Sequence, residues 1–139
     1  MKIFRHLLLF ALLYCAPSAI FAQGVPKAFA PIYYKGKVYG NSIRFKLADG
    51  YIGASIIRMN LNKKGHALIF QPESGTADEH NQLKFLPFPK SNSGYFILDN
   101  MQEAYGDTPL YITGYYFFRG NKMPLKLIKI KALSIATNK

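Results

Sequence analysis

Alternation of apolar and polar residues dominates the chain from Lys37 onward, and this period of two is typical of β-strands that bury one face. In residues 42–47, Ile43, Phe45 and Leu47 point one way, while the polar side chains between them point the other. Such strands must belong to a sheet whose one face is core and whose other face meets solvent. The chain is therefore predicted to be all-β.

Turn signals divide the chain into short strands at regular spacing. Clusters of Gly, Pro, Asn or Ser separate the strand candidates, and the pair Asp49 and Gly50 suits a type I′ hairpin turn between the first two long strands. Local hairpins favour an antiparallel meander that closes into a small barrel, with a β-sandwich as the alternative. Seven strands are predicted, or eight if the first candidate counts: 32–35, 42–47, 51–61, 67–71, 82–86, 95–98, 110–119 and 125–135.

One segment departs from the strand pattern. Residues 99–106 begin with Asp99, a favourable N-cap, continue with good helix formers, and end at Gly106. This order of residues predicts one or two turns of helix within an otherwise all-β chain.

The first 22 residues have the composition of a secretory signal peptide. Lys2 and Arg5 precede a short apolar run, and small residues follow it up to a predicted cut after Ala22. The apolar run is too short to cross a bilayer as a helix. We therefore expect an exported protein, periplasmic or extracellular, with no transmembrane segment after cleavage. The predicted divisions are a signal peptide at 1–22, an extended leader at 23–31, and a single β domain at 32–139.

The charge of the chain is strongly positive and unevenly distributed. The net charge is +11, and removal of Lys2 and Arg5 with the signal leaves +9. Six of the seven acids lie in residues 73–79 and 99–107, while residues 119–139 carry six basic residues and no acid. A field of this sign attracts anions over long range. Because export separates the protein from nucleic acid, an anionic envelope lipid, a polysaccharide or another exported protein is the expected partner.

Aromatic residues are abundant, with ten tyrosines and eleven phenylalanines in a chain that has no tryptophan. In strand 110–119 they occupy consecutive positions, so their rings point to both faces of the sheet. One face is core, and the other either packs under another element or forms a binding surface. Tyr115 and Phe117 are open to both interpretations.

The basic residues of the C-terminal strand complete the candidate site. Their spacing changes parity between Lys126 and Lys129, which a bulge near Leu127 and Ile128 would reconcile. These lysines either protect a sheet edge from pairing or form a stripe that binds anions. The candidate binding residues are Arg58, Tyr115, Phe117, Arg119, Lys122, Lys126 and Lys129.

The polar segment 73–81 is the remaining candidate for chemistry. Glu73, Asp78 and His80 could act as metal ligands, but neither a calcium-loop spacing nor a spaced zinc ligand set is present, so a solvated loop is favoured. No nucleophile motif occurs in the chain. No catalytic residue and no cofactor are therefore assigned.

These observations favour an exported, non-enzymatic β protein that binds an anionic or amphipathic ligand. One alternative is a small secreted hydrolase that uses His80 and the acidic segment 73–81. A structural component of the cell envelope is the other.

The signal-peptide assignment predicts that mature exported protein starts near Gln23. N-terminal sequencing of protein recovered from outside the cytoplasm should show this residue, because the peptidase cuts after the small residue Ala22. An intact Met1 in that fraction would rule the assignment out.

Overall fold

Each strand of the chain pairs with the next one in sequence, and the last strand pairs with the first. The computed structural model describes residues 31–61 and 65–131, and these form a closed antiparallel barrel. Its strands are β1 (Pro31–Val38), β2 (Asn41–Ala48), β3 (Ile56–Asn60), β4 (Ala67–Pro72), β5 (Leu83–Phe88), β6 (Tyr95–Leu98), β7 (Tyr111–Phe118) and β8 (Asn121–Lys129). The predicted all-β meander is confirmed, and it closes as a barrel. The predicted signal peptide and most of the leader lie outside the described residues.

Two tight hairpin turns have the type I′ form, although neither is the one predicted. Tyr39 and Gly40 join β1 to β2 with φ angles of 52° and 76°, and Arg119 and Gly120 join β7 to β8 with 49° and 77°. Positive φ at both central residues matches the right-handed twist of the paired strands. Each turn has two residues, because Val38 pairs with Asn41 and Phe118 pairs with Asn121.

The predicted type I′ turn at Asp49 and Gly50 is wrong, although the strands on either side of it do pair. Gly50 has a φ of 83°, but Asp49 is outside the left-handed region, and the Tyr51 amide donates to the Ala48 carbonyl at 3.0 Å. A 3₁₀ turn, Ile52–Ala54, follows before β3 begins. Because this turn buries Ile52 at the end of the barrel, the strand that was predicted to start at 51 starts later.

The inward positions of the strands fill the barrel with aromatic rings. Phe45 meets Phe85 edge to face with ring centroids 5.7 Å apart, and Phe70 meets Phe96 in the same way at 4.8 Å. An eight-stranded barrel has an interior just wide enough for side chains to fill. The large fully buried side chains include Tyr34, Phe45, Phe70, Phe85 and Phe96. The interior is therefore packed core.

The predicted helix at 99–106 is wrong, because this segment closes one end of the barrel as an irregular loop. Asn100 has a φ of 55°, which ends any helical run at its start. The Met101 amide donates to the Asn81 carbonyl at 2.8 Å, and the Tyr105 amide donates to the Asp49 carboxylate at 2.8 Å. The Tyr105 amide, which a helix would use internally, thus binds a neighbouring loop instead, and the Met101 side chain is fully buried.

Tyr34 links the packed interior to the same closing loop. Its hydroxyl donates to the Pro109 carbonyl at 2.9 Å. Desolvation by burial, reinforced by Tyr105 and the Asp49 carboxylate, raises the pKa of Tyr34 to about 12. The phenol therefore stays neutral over the pH range in which an exposed tyrosine ionises.

Removal of a core ring should cost far more stability than removal of a wall lysine. Phe45→Ala should lower the free energy of unfolding by about 3–5 kcal/mol, because it leaves a cavity between Tyr34 and Phe85. Lys37→Ala, at an exposed position of β1, should change it by about 0.5 kcal/mol or less. Urea unfolding measures both, and equal shifts would mean that the inward and outward faces are misassigned.

The pKa of Tyr34 predicts a loss of stability at alkaline pH. The pKa of Tyr34 is raised in the folded state, so its neutral phenol contributes fully to folding stability below about pH 10. Between about pH 10 and 12 the tyrosine ionises in the unfolded chain but not in the folded one, and this contribution to stability is lost. Urea unfolding between pH 9 and pH 12 should show a steeper decline for the parent protein than for Tyr34→Phe. Tyr39→Phe, at an exposed turn position, is the matched control and should behave as the parent does. A Tyr34→Phe profile parallel to that of the parent would contradict the assignment.

Candidate functional site

The meander separates the charges between the two ends of the barrel, because successive connections lie at alternating ends. We call one end the rim; it includes the Tyr39 and Gly40 turn, the connection 89–94, and the Arg119 and Gly120 turn. The opposite end, which we call the acid end, is formed by the connections 49–55, 73–82 and 99–110. All seven acids of the chain lie at the acid end: Asp49, Glu73, Asp78, Glu79, Asp99, Glu103 and Asp107.

The outer wall of the barrel carries only positive charge. Within the described strands, every charged side chain at an outward position is a lysine or an arginine. Lys84 reaches the Glu73 carboxylate of the acid end at 3.3 Å. We call this surface the cationic wall; its charged members are Lys35, Lys37, Arg44, Lys46, Arg58, Lys84, Lys122 and Lys126.

Tyr115 and Phe117 lie on this wall rather than in the core, and both are half-buried. The Lys122 amine is 3.8 Å from the centroid of the Tyr115 ring and 5.8 Å from that of Phe117. Phe117 also stacks on Tyr95, with centroids 4.8 Å apart and planes 9° from parallel. These cation–π and stacking contacts cover ring faces that a stacked ligand would need. The structure thus brings Tyr115, Phe117 and Lys122 together.

Lys126 and Lys129 point to opposite faces of β8. The Lys126 amine lies outside, 4.4 Å from the centroid of the Tyr111 ring. The register from Tyr111 opposite Ile128 to Phe118 opposite Asn121 is continuous, so the predicted bulge is wrong. Lys129 is instead half-buried at the acid end, where its amine donates to the Thr108 hydroxyl. Edge protection does not apply to these lysines either, because β8 pairs with β1.

Arg58 is far from the C-terminal strand in the order of the sheet but belongs to a row of cations. It lies opposite Arg44 on β2, which in turn lies opposite Lys35 on β1. The sequence reasoning missed Lys35 and Arg44. The signal that could have found them is the two-residue turn at Tyr39 and Gly40, because pairing outward from this turn places Lys35 opposite Arg44.

The rim holds an open apolar cleft of about 830 Å³. It lies between the connection 89–94 and the turn that contains Arg119, and its lining includes Leu86, Phe88, Lys90, Tyr95, Phe117 and Arg119. The Phe88 side chain is 61% exposed, and the Arg119 guanidinium lies 5.0 Å from the centroid of the Phe118 ring. The cleft therefore combines bare aromatic surface with two cations. Phe117 and Arg119 were predicted as binding residues, whereas Phe88 and Lys90 were not.

Gly94 holds the connection 89–94 against β7. A Cβ atom at this position would lie 2.2 Å from the Phe117 carbonyl oxygen, and its φ is 79°, so only glycine fits. Next to it, the buried Tyr116 hydroxyl donates to the Ser93 carbonyl, and burial raises the pKa of Tyr116. These contacts fix one wall of the cleft.

The three candidate metal ligands are used in other contacts. The Asp78 carboxylate accepts hydrogen bonds from the backbone amides of His80 and Gln82 at 2.9 and 2.8 Å. Aspartate side chains commonly stabilise turns in this way. The exposed His80 imidazole is 3.6 Å from Glu79, while Glu73 contacts Lys84. Across residues 31–61 and 65–131, no group of three or more His, Cys, Asp or Glu side chains is placed to hold a metal ion.

Comparisons of this chain with protein-family models, with curated proteins and with solved structures found no match. In the described part of the chain, no helix has the length and apolar character needed to cross a membrane.

Proposed function

We propose that this protein is an exported, non-enzymatic binding protein that holds an anionic amphiphile in the rim cleft. The observation that carries the proposal is the position of Phe88 and the Tyr95–Phe117 pair beside Lys90 and Arg119 in one cleft. An acyl chain would lie on the exposed Phe88 ring and beside the stacked pair, while its acidic head group meets the cations. The signal-peptide pattern of residues 1–22 supports a location where such molecules occur.

The apolar half of this cleft supports binding of a hydrocarbon chain. Phe88 exposes most of a large ring, and burial of apolar surface is worth about 25 cal/mol per Å². A volume of about 830 Å³ is within the range of small-molecule sites. Because the interior of the barrel is filled by rings such as Phe45 and Phe96, the rim is better suited to a ligand than the interior.

The charge distribution supports an anionic head group. Lys90 and Arg119 belong to the rim, and all seven acids lie at the opposite end. A field of this kind steers anions towards the rim and is screened over about 8 Å at physiological salt. In contrast, His80 contacts Glu79 on an exposed loop, and this geometry gives the hydrolase alternative no support.

Isothermal titration with decanoate below its micelle concentration tests this proposal. Phe88→Ala should weaken binding because it removes the exposed ring. Arg119→Asn should weaken it roughly tenfold or more, because a hydrogen bond to a charged group is worth about 1.5–3 kcal/mol. Asparagine tolerates the positive φ of this turn position, so the fold should be kept.

Leu110→Ala is the matched control, because Leu110 is 75% exposed but lies at the acid end. Decanol tests the contribution of the head group and should bind more weakly than decanoate. The proposal fails if decanoate does not bind at low salt, or if Leu110→Ala weakens binding as much as Phe88→Ala does.

A further inference from the structure

A row of three cations crosses the wall on the side of β1, β2 and β3. Lys35 lies opposite Arg44, and Arg44 lies opposite Arg58, so each pair is a direct cross-strand neighbour. Like charges in such positions destabilise a sheet. Within the described residues none of the three forms an ion pair; Arg58 donates only to the neutral Asn60 side chain, at 3.3 Å. The fold therefore keeps a repulsive arrangement that an anion would relieve.

A shallow depression of about 460 Å³ lies at one end of this row. The Ile130 amide donates to the Tyr33 carbonyl at 2.8 Å and holds the chain after β8 against β1. Lys131 thereby lines the same depression as Lys35 and Arg44, together with Ser42 and Tyr33. The depression thus combines three cations with the hydroxyl groups of Ser42 and Tyr33, beside the buried Tyr34, and has no acid in its lining.

We propose that this depression and the row that ends at Arg58 form a second anion site, which binds a linear acidic polysaccharide. Neighbouring strands are about 4.8 Å apart, so the row presents one cation per strand around a convex wall. A flexible chain with repeated carboxylates can follow that curve, and Ser42 and Tyr33 can hydrogen-bond to its sugar hydroxyls. The site is separate from the rim cleft, which is lined by β5, β6, β7 and their rim connections, and it does not depend on the function proposed for that cleft.

Nucleic acid is a poorer match for the same charges. Proteins that bind single strands place aromatic rings where successive bases can stack. Tyr33 is the exposed ring among the residues that line the depression, because Tyr34 is fully buried. On the opposite side of the wall, lysine amines lie over Tyr111 and Tyr115. The hydroxyl and cation set therefore favours a sugar polymer.

Binding of alginate oligosaccharides to the mature chain tests this site. The double variant Lys35→Gln with Arg44→Gln should lose at least about tenfold in affinity, equivalent to about 1.4 kcal/mol. The slope of log affinity against log salt should fall by roughly one for each cation removed. The control double variant, Lys122→Gln with Lys126→Gln, removes the same charge from β8 and should lose less than about threefold, since attraction at long range is weak in salt.

Two further measurements separate the alternatives. The urea midpoint of Arg44→Gln should equal or exceed that of the parent, because the variant relieves repulsion with Lys35 and Arg58. Decanoate binding should be unchanged in the Lys35 and Arg44 variants, which distinguishes this site from the rim cleft.

Absence of alginate binding at low salt, or an equal loss in the β8 control, would overturn the proposal. Tighter binding of a single-stranded oligonucleotide than of alginate would also overturn it.

Discussion

Closure of the sheet by the pairing of β8 with β1 determines most of what this molecule can do. The two strands approach closely at Gly36, where a Cβ atom would lie 2.7 Å from the Lys126 carbonyl oxygen. Closure at eight strands gives an interior that side chains can fill. The inward aromatic rings fill it, among them Tyr34, Phe45, Phe70, Phe96 and Tyr116. A binding function must then be carried by the outer surface or by the ends of the barrel.

The same topology arranges the charges. Because a meander places alternate connections at alternate ends, acids that are dispersed along the sequence in three segments all come to one end. The charged positions on the outer wall, in the strands between the two ends, are cationic. The rim combines Lys90 and Arg119 with exposed aromatic surface. The proposed rim site and the proposed row on β1 to β3 both follow from this separation of charge.

The periodic parts of the fold could be predicted from the sequence, and the irregular parts could not. Alternation over residues 42–47 correctly predicts which face of β2 is buried, because side-chain period depends only on local backbone geometry. The segment 99–106 has helix-forming residues, yet hydrogen bonds to Asn81 and Asp49 and burial of Met101 outweigh that preference. Such tertiary contacts are not visible in local composition.

The candidate site shows the same division. Phe117, Lys122 and Arg119 were predicted from a local pattern of aromatic and basic residues, and they do lie near one another on β7, β8 and the turn between them. Lys129 was misplaced because its inward direction follows from an unbroken register with β7. The row through Lys35 and Arg44 depends on pairing across three strands, which single-strand patterns do not contain.

The central claim is that the barrel binds ligands outside a filled interior, and a methyl- and amide-resolved NMR titration with decanoate tests it most directly. Shifts are expected in the amide signals of residues 90–94 and 117–120, which line the cleft or adjoin it. The methyl signals of Ile43, Ile57 and Leu127, which are fully buried, should stay unchanged. Large shifts of these interior methyl groups, with the rim amides unaffected, would contradict the account.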